Sequence, residues 1–255
     1  MGLLNVMILG LIQGITEFIP VSSSGHLVIF QHFMEVDGGI TLNVFLHFGS
    51  LLAVTYVFRE EIIGIITLKE KYRRLTYFII VGSIPAGVIG LLFEDFFEEV
   101  FSTLTVVGVA LLITGFLLFI SDKINTEERP LEKMKWGDAI FVGIAQALAI
   151  FPGISRSGST IVGGLFKGLD RELAARFSFL LALPVIGGAT LLQARNIFSV
   201  GLDGITAIEL TTGTFTSMIA SFFAIKVLLI LIKKEKLSIF AYYCWALGLT
   251  IIFIV

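Results

Sequence analysis

The amino-acid sequence predicts an all-α polytopic membrane protein, with six transmembrane helices, two re-entrant helix-loop-helix segments and an inverted-topology repeat. Three observations carry this. The first is composition: of 255 residues only 15% are charged and 56% are hydrophobic. Mean hydropathy is +0.97, outside the usual range of soluble domains. The second is the one-sided placement of Lys and Arg, and the third is a motif that recurs 133 positions later.

Six apolar stretches, at about 41–58, 75–93, 103–120, 177–194, 210–232 and 237–255, have the roughly 20-residue length a membrane helix needs. Lys226 falls near the end of the fifth, where a lysine snorkels to the interface. Two further apolar regions, 1–34 and 139–166, are each broken in the middle by proline, glycine and serine. Most of their halves are too short to cross, and irregular backbone at membrane depth needs shelter inside the protein. They therefore read as re-entrant segments.

The linkers at 59–74, 121–138, 167–176 and 226–236 hold five, four, three and four Lys or Arg, whereas 31–42, 94–102 and 195–209 hold none, none and one. If both broken regions return to the side they start from, every basic linker lies on one face, which is cytoplasmic by the positive-inside rule. Both termini then lie outside. Eight full spans would scatter the basic linkers over both faces. Glu35, Asp37 and the cluster Glu94, Asp95, Glu98 and Glu99 read as solvated charges of the outer face.

Shifting the chain by 133 residues pairs Gly10 with Gly143, Gln13 with Gln146, Phe18 with Phe151, Ser22 with Ser155, Ser24 with Ser157 and Gly25 with Gly158. Each broken region is followed by three spans, an odd number, so the second copy enters from the opposite face. One integral membrane domain, 1–255, is expected, with repeats of about 1–121 and 134–255. The two polar tips would meet near the bilayer midplane and form one buried site.

A net charge of −2 gives no reason to expect nucleic acid, and one cysteine, Cys244, excludes an intramolecular disulfide or a cysteine cluster. The first residues lack a basic n-region and a small-residue cleavage site, so a signal peptide is not expected.

The chemistry concentrates in Gln13 to His26 and Pro152 to Thr160. Gln13 and Glu17, four apart, share one helical face, and a carboxylate so placed suits a general base or a metal ligand. Ser22, Ser23, Ser24, Gly25 and His26 offer hydroxyls and backbone N–H groups at the start of a half-helix, where anions are favoured. Ser155, Ser157, Gly158 and Thr160 repeat this design around Arg156, whose planar fork suits phosphate oxygens. His32 reads as solvated, and His47, one turn after Asn43, as a helix–helix hydrogen bond.

On these two motifs the chain resembles the undecaprenyl-diphosphate phosphatases, also called bacitracin-resistance proteins. That family carries a (Glu/Gln)-x-x-x-Glu pair running into Pro-Val-Ser-Ser-x-Gly-His, here Gln13 to Glu17 and Pro20 to His26, and later Pro-Gly-x-Ser-Arg-Ser-Gly-x-Thr, here Pro152 to Thr160. Length and span number agree over essentially the whole chain. The resemblance implies hydrolysis of a C55 polyprenyl diphosphate to the monophosphate and inorganic phosphate, which recycles a cell-wall lipid carrier and confers bacitracin resistance. It also implies a divalent cation (Mg2+ or Ca2+) at Glu17 and Gln13, in a bacterial cytoplasmic membrane. At Gln13 some members have glutamate, and an amide carbonyl is the weaker ligand. Glu17, Ser23, His26 and Arg156 are the expected catalytic residues; Ser22, Ser24, Gly25, Ser155, Ser157, Gly158 and Thr160 are expected to bind the diphosphate. The attacking group stays open among Ser23, His26 and water. A homo-oligomer is compatible with this reading.

Two rivals exist. The phosphatidic-acid-phosphatase pattern fails, because Ser23 stands where it needs proline and no histidine follows His47. A lipid-phosphate flippase would use the same inverted-repeat loops. The pair of Glu17 and His26 discriminates: binding alone needs only donors, whereas a buried carboxylate next to hydroxyls favours bond cleavage.

Overall fold

A computed structural model describes residues 2–36, 38–92, 103–124, 128–200, 204–234 and 236–255, and the side chains of 193, 195–200 and 234 are set aside. Asp37 and the acidic cluster Glu94, Asp95, Glu98 and Glu99 lie outside the described residues. Among those described, the ordered elements are α-helices and one short 3-10 turn, with no strand. In chain order they are α1 (Leu3–Thr16), α2 (Ser23–Phe33), α3 (Gly39–Val57), α4 (Arg59–Ile66), α5 (Glu70–Leu92), α6 (Leu104–Ser121), α7 (Trp136–Leu148), α8 (Arg156–Phe166), α9 (Arg171–Val200), α10 (Ala207–Lys234) and α11 (Ser238–Ile254).

The chain forms a polytopic, all-helical membrane protein. Five helices, α3, α5, α6, α9 and α10, are long and apolar enough to cross a bilayer. The expected sixth span is the apolar helix α11, at 17 residues. The helices of the broken regions are short, at 14 and 11 residues for α1 and α2 and 13 and 11 for α7 and α8. Eleven residues rise only about 16 Å, against roughly 30 Å of hydrocarbon. One helix was not anticipated. The sequence Arg-Glu-Glu-Ile-Ile-Gly-Ile-Ile forms α4 inside the charged 59–74 linker, with Glu60 and Glu61 in its first turn, where the helix dipole favours acid.

Local chemistry sets the helix starts. Ser22 and Ser155 are the N-caps of α2 and α8, and each side chain accepts from the backbone N–H three residues on, Gly25 and Gly158. Thr206-Ala-Ile-Glu209 opens α10 as a reciprocal capping box, with Thr206 N donating to Glu209 Oε2 at 2.8 Å and Glu209 N to Thr206 Oγ1 at 3.2 Å. α11 is capped from another helix: Asp122, just past α6, accepts from Leu237 N and Ser238 N at 3.0 and 2.8 Å.

Small residues let the helices approach closely. α1 lies against α10, where a Cβ on Gly14 would sit 2.5 Å from the Ser217 carbonyl oxygen and from Ala220 Cβ. In lipid, association depends on such packing and on interhelical hydrogen bonds. Ser217 Oγ donates to the Leu46 carbonyl at 2.7 Å, and Ser221 Oγ to Ser50 Oγ at 2.9 Å, which tie α10 to α3.

The four basic linkers meet at one end of the bundle. Arg129, before α7, pairs with Asp138 at 3.1 Å, and its backbone N donates to Gly168 O after α8 at 2.9 Å. Asp122 also pairs with Arg171 at 3.6 Å, Glu61 with Arg176 at 3.3 Å, and Glu172 with Lys233 at 2.8 Å. The chain therefore starts α7 and leaves α8 at the same end. A separate apolar cluster joins Val6, Leu42, Ile205 and Leu210, with Met34 and Val36 against it. It gathers the start of α1, the end of α2 and the starts of α3 and α10.

Candidate active site

Two helix breaks meet inside the bundle. Glu17 is the C-cap of α1, Ser23 the first residue of α2 and Arg156 the first residue of α8. Between them Ser22 adopts φ 72° and ψ 92°, a region that costs a non-glycine residue roughly 1–3 kcal/mol. In the second break Gly153 takes φ +84°, and a Cβ there would lie 2.7 Å from Ala110 Cβ on α6. Only glycine meets both demands. The loops touch each other: Gly153 N donates to Ser24 Oγ at 3.4 Å, and a Cβ on Gly25 would lie 3.3 Å from Gly153 Cα.

Glu17 is the hub of this junction and only 5% exposed. Its Oε1 accepts from Arg156 Nη2 at 3.0 Å, a contact between residues 139 apart in sequence. Its Oε2 accepts from Ser23 Oγ at 2.6 Å and Gln13 Nε2 at 2.7 Å, and His47 Nδ1 stands 3.0 Å away. A buried carboxylate is tolerable only when paired and hydrogen-bonded, and this one is both. Arg156 Nη1 donates to Ser178 O at 3.2 Å, and Ser178 Oγ bonds Thr160 Oγ1 at 2.6 Å, so α9 backs the guanidinium.

Beside the pair lies a cavity of about 320 Å³. Its polar lining is Glu17, Ser23, Ser24, His47, Gln146, Ser155, Arg156 and Thr190; its apolar lining, Ile150, Val185 and Ile186 among others, comes chiefly from α9 and the second break. Gln13 Oε1, Arg156 Nε and both amide atoms of Gln146 are buried without a hydrogen-bond partner among the described residues. Such atoms are rare in folded proteins; Gln146 and Arg156 line the cavity, whereas the fully buried Gln13 does not.

The structure brings Gln13, Glu17, Ser23, Ser24, Ser155 and Arg156 together. It does not bring His26 with them. His26 Nδ1 is 2.7 Å from the Ser22 carbonyl, which can only accept, so Nδ1 carries the proton. In the neutral ring Nε2 then accepts from Tyr243 Oη at 2.7 Å. Both ring nitrogens are thus engaged, and His26 does not line the cavity. Ser22, Gly25, Ser157, Gly158 and Thr160 are also absent from the lining. Capping uses the Gly25 and Gly158 N–H groups on Ser22 and Ser155, Ser157 Oγ pairs with Ser155 Oγ at 3.2 Å, and Thr160 buttresses Ser178. These hydrogen bonds hold the two loops in shape. His47 makes the helix–helix hydrogen bond expected of it, with Gln13 of α1 at 2.7 Å, and it also lines the cavity, as does Gln146, which the motifs did not single out. For Gln146 the 133-residue repeat was an available signal, because it pairs with Gln13.

In this all-helical membrane protein a carboxylate, a guanidinium and a hydroxyl converge on one buried cavity, an arrangement chemically suited to an anionic ligand. Comparison with known proteins narrows this. The family model for the bacitracin resistance protein BacA matches residues 6–250, and the chain belongs to that family. It is 49% identical over 253 residues to the undecaprenyl-diphosphatase of Halothermothrix orenii, covering 99% of this chain and 98% of that one. Over 255 residues it is 44% identical to the undecaprenyl-diphosphatase of Carboxydothermus hydrogenoformans, covering 99% and 97%. With that of Alkaliphilus metalliredigens it shares 43% over 266 residues, covering 97% of each.

Proposed function

We propose that this protein hydrolyses undecaprenyl diphosphate to undecaprenyl phosphate and inorganic phosphate, in a bacterial cytoplasmic membrane. The observation that carries it is the Ser23–Glu17–Arg156 constellation on the cavity wall. Glu17 lies within hydrogen-bond reach of the Ser23 proton, the geometry of an activated nucleophile. Arg156 and the N-terminal ends of α2 and α8 neutralise the diphosphate. Ser23 Oγ attacks the terminal phosphorus and its proton passes to Glu17. As the new O–P bond forms, the bridging P–O bond breaks and the prenyl monophosphate leaves. Water then attacks the phosphoserine, with Glu17 returning the proton to Ser23 Oγ as phosphate departs. The prenyl chain lies against the apolar wall of Val44, Val185 and Ile186.

The residues fit a divalent cation, Mg2+ or Ca2+, held largely by the substrate. Among the described residues no group of three or more His, Cys, Asp and Glu stands together, so no all-protein cage is present. Glu17 is the carboxylate on the cavity wall that would hold it, with the unpartnered Gln13 Oε1 buried behind it, and Mg2+ is often bound through one carboxylate plus substrate phosphates. When bound, the ion neutralises charge on the departing phosphate.

The finer topology has α3, α5, α6, α9, α10 and α11 as spans, α1–α2 and α7–α8 as re-entrant pairs from opposite faces, and repeats of about 1–121 and 134–255. The two ends at which these pairs start, one basic and one apolar, support it. The basic end is then cytoplasmic and both termini are outside. In a Cys244→Ala background, an impermeant thiol reagent on intact cells is expected to label Glu35→Cys and not Lys133→Cys. Equal labelling would refute this arrangement.

The activity itself is tested by phosphate release from C55 diphosphate in detergent, with and without chelator. Metal-dependent release is expected. Because no membrane is present, a protein that only flips lipid scores zero.

A further inference from the structure

Among the described residues, Gln146 is the one side chain with both of its buried polar atoms unpartnered. It lines the cavity at 1% exposure, yet neither its Nε2 nor its Oε1 has a partner among the described residues. The repeat shows how it came to be alone. Its counterpart Gln13 places Nε2 2.7 Å from Glu17 Oε2 and 2.7 Å from His47 Nδ1. The positions 133 residues after Glu17 and His47 hold Ile150 and Leu180, which offer no hydrogen bond. By the same offset Ser23 corresponds to Arg156. The first break thus supplies acid and hydroxyl, and the second supplies a cation and an uncommitted amide.

We propose that Gln146 contacts the substrate, donating Nε2–H to a non-bridging oxygen of the diphosphate. This deepens the hydrolytic reading above and rests on it. A buried amide without a protein partner is costly and is kept where a ligand completes it. Arg156 Nε, buried and also unpartnered, provides a second donor from the neighbouring helix α8. The amide gives the diphosphate a directed, uncharged hydrogen-bond donor.

The test uses purified Gln146→Leu and Gln146→Met, both apolar and of similar size. The readouts are kcat/KM for C55 diphosphate, binding of inorganic diphosphate by calorimetry, and Tm. A hydrogen bond to a charged group predicts a loss of about 10- to 100-fold in kcat/KM and a similar weakening of diphosphate binding. Tm should hold or rise, since an apolar replacement removes an unpaired polar group from the interior. Unchanged kcat/KM and diphosphate binding would overturn the proposal. So would failure of both variants to fold, which would make the amide a packing element. A wild-type protein that releases no phosphate would instead defeat the hydrolytic reading, and diphosphate binding by the same variants would still decide for Gln146.

Discussion

Glu17→Gln is expected to lower kcat for phosphate release by about 10²- to 10⁴-fold, the usual contribution of a positioned general base. The replacement keeps an oxygen that can accept from Ser23 Oγ, now 2.6 Å from the carboxylate, so the local geometry survives while proton acceptance is lost. The buried Arg156 loses its countercharge, and breaking such a pair costs roughly 3–5 kcal/mol. A lowered Tm is therefore expected beside the kinetic loss. Gln13→Ala should cost less, since Gln13 holds the carboxylate without taking a proton. The assay is phosphate release in detergent on protein shown to be folded by its melting transition. Near-wild-type turnover in Glu17→Gln would remove Glu17 from both the base and the cation-binding roles.

The second large effect is expected at Arg156. An arginine at membrane depth costs roughly 2.5–3.5 kcal/mol on insertion scales, and Glu17 and Ser178 O offset that while Nε stays unpartnered. Lysine keeps the charge but cannot hold Glu17, Ser178 and a phosphate oxygen at once with a planar fork. Arg156→Lys should lose about 2–3 kcal/mol of transition-state stabilisation, roughly 30- to 150-fold in kcat/KM. Arg156→Ala should lose more, because Glu17 is then buried without its cation. If Arg156 served only as the partner of Glu17, lysine would sustain wild-type kinetics.

Much of this site was legible in the sequence because membrane helices are written in long, charge-free runs. The expected spans 41–58 and 103–120 correspond to α3 at Gly39–Val57 and α6 at Leu104–Ser121. Pro20, Pro152 and the serine clusters interrupt such runs, and the breaks fall there. Glu17 and Arg156 stood out as isolated charges in apolar surroundings, where a partner is obligatory. What local pattern does not carry is tertiary placement. His47 reaches Glu17 only because α3 packs against α1. Its sequence signal, a polar residue one turn after Asn43, fits an ordinary helix contact equally well. The placement of His26 is likewise tertiary. This residue stands three residues from Ser23, inside the motif, but the Ser22 carbonyl and Tyr243 of distant α11 decide where its ring goes. α4 was hidden because the charges of 59–74 obscured the apolar face of a short helix.

Two breaks, 139 residues apart at Glu17 and Arg156, acting as one catalytic site is the central claim. A double-mutant cycle tests it most directly. It uses Glu17→Asp and Arg156→Lys, substitutions mild enough to leave measurable activity. The readout is kcat/KM of the two single variants and the double, in detergent. Residues acting on one phosphate centre should be strongly non-additive. The double variant is then expected to lose little more than the worse single. Losses that multiply, giving a coupling energy near zero, would show two independent positions and contradict a shared site.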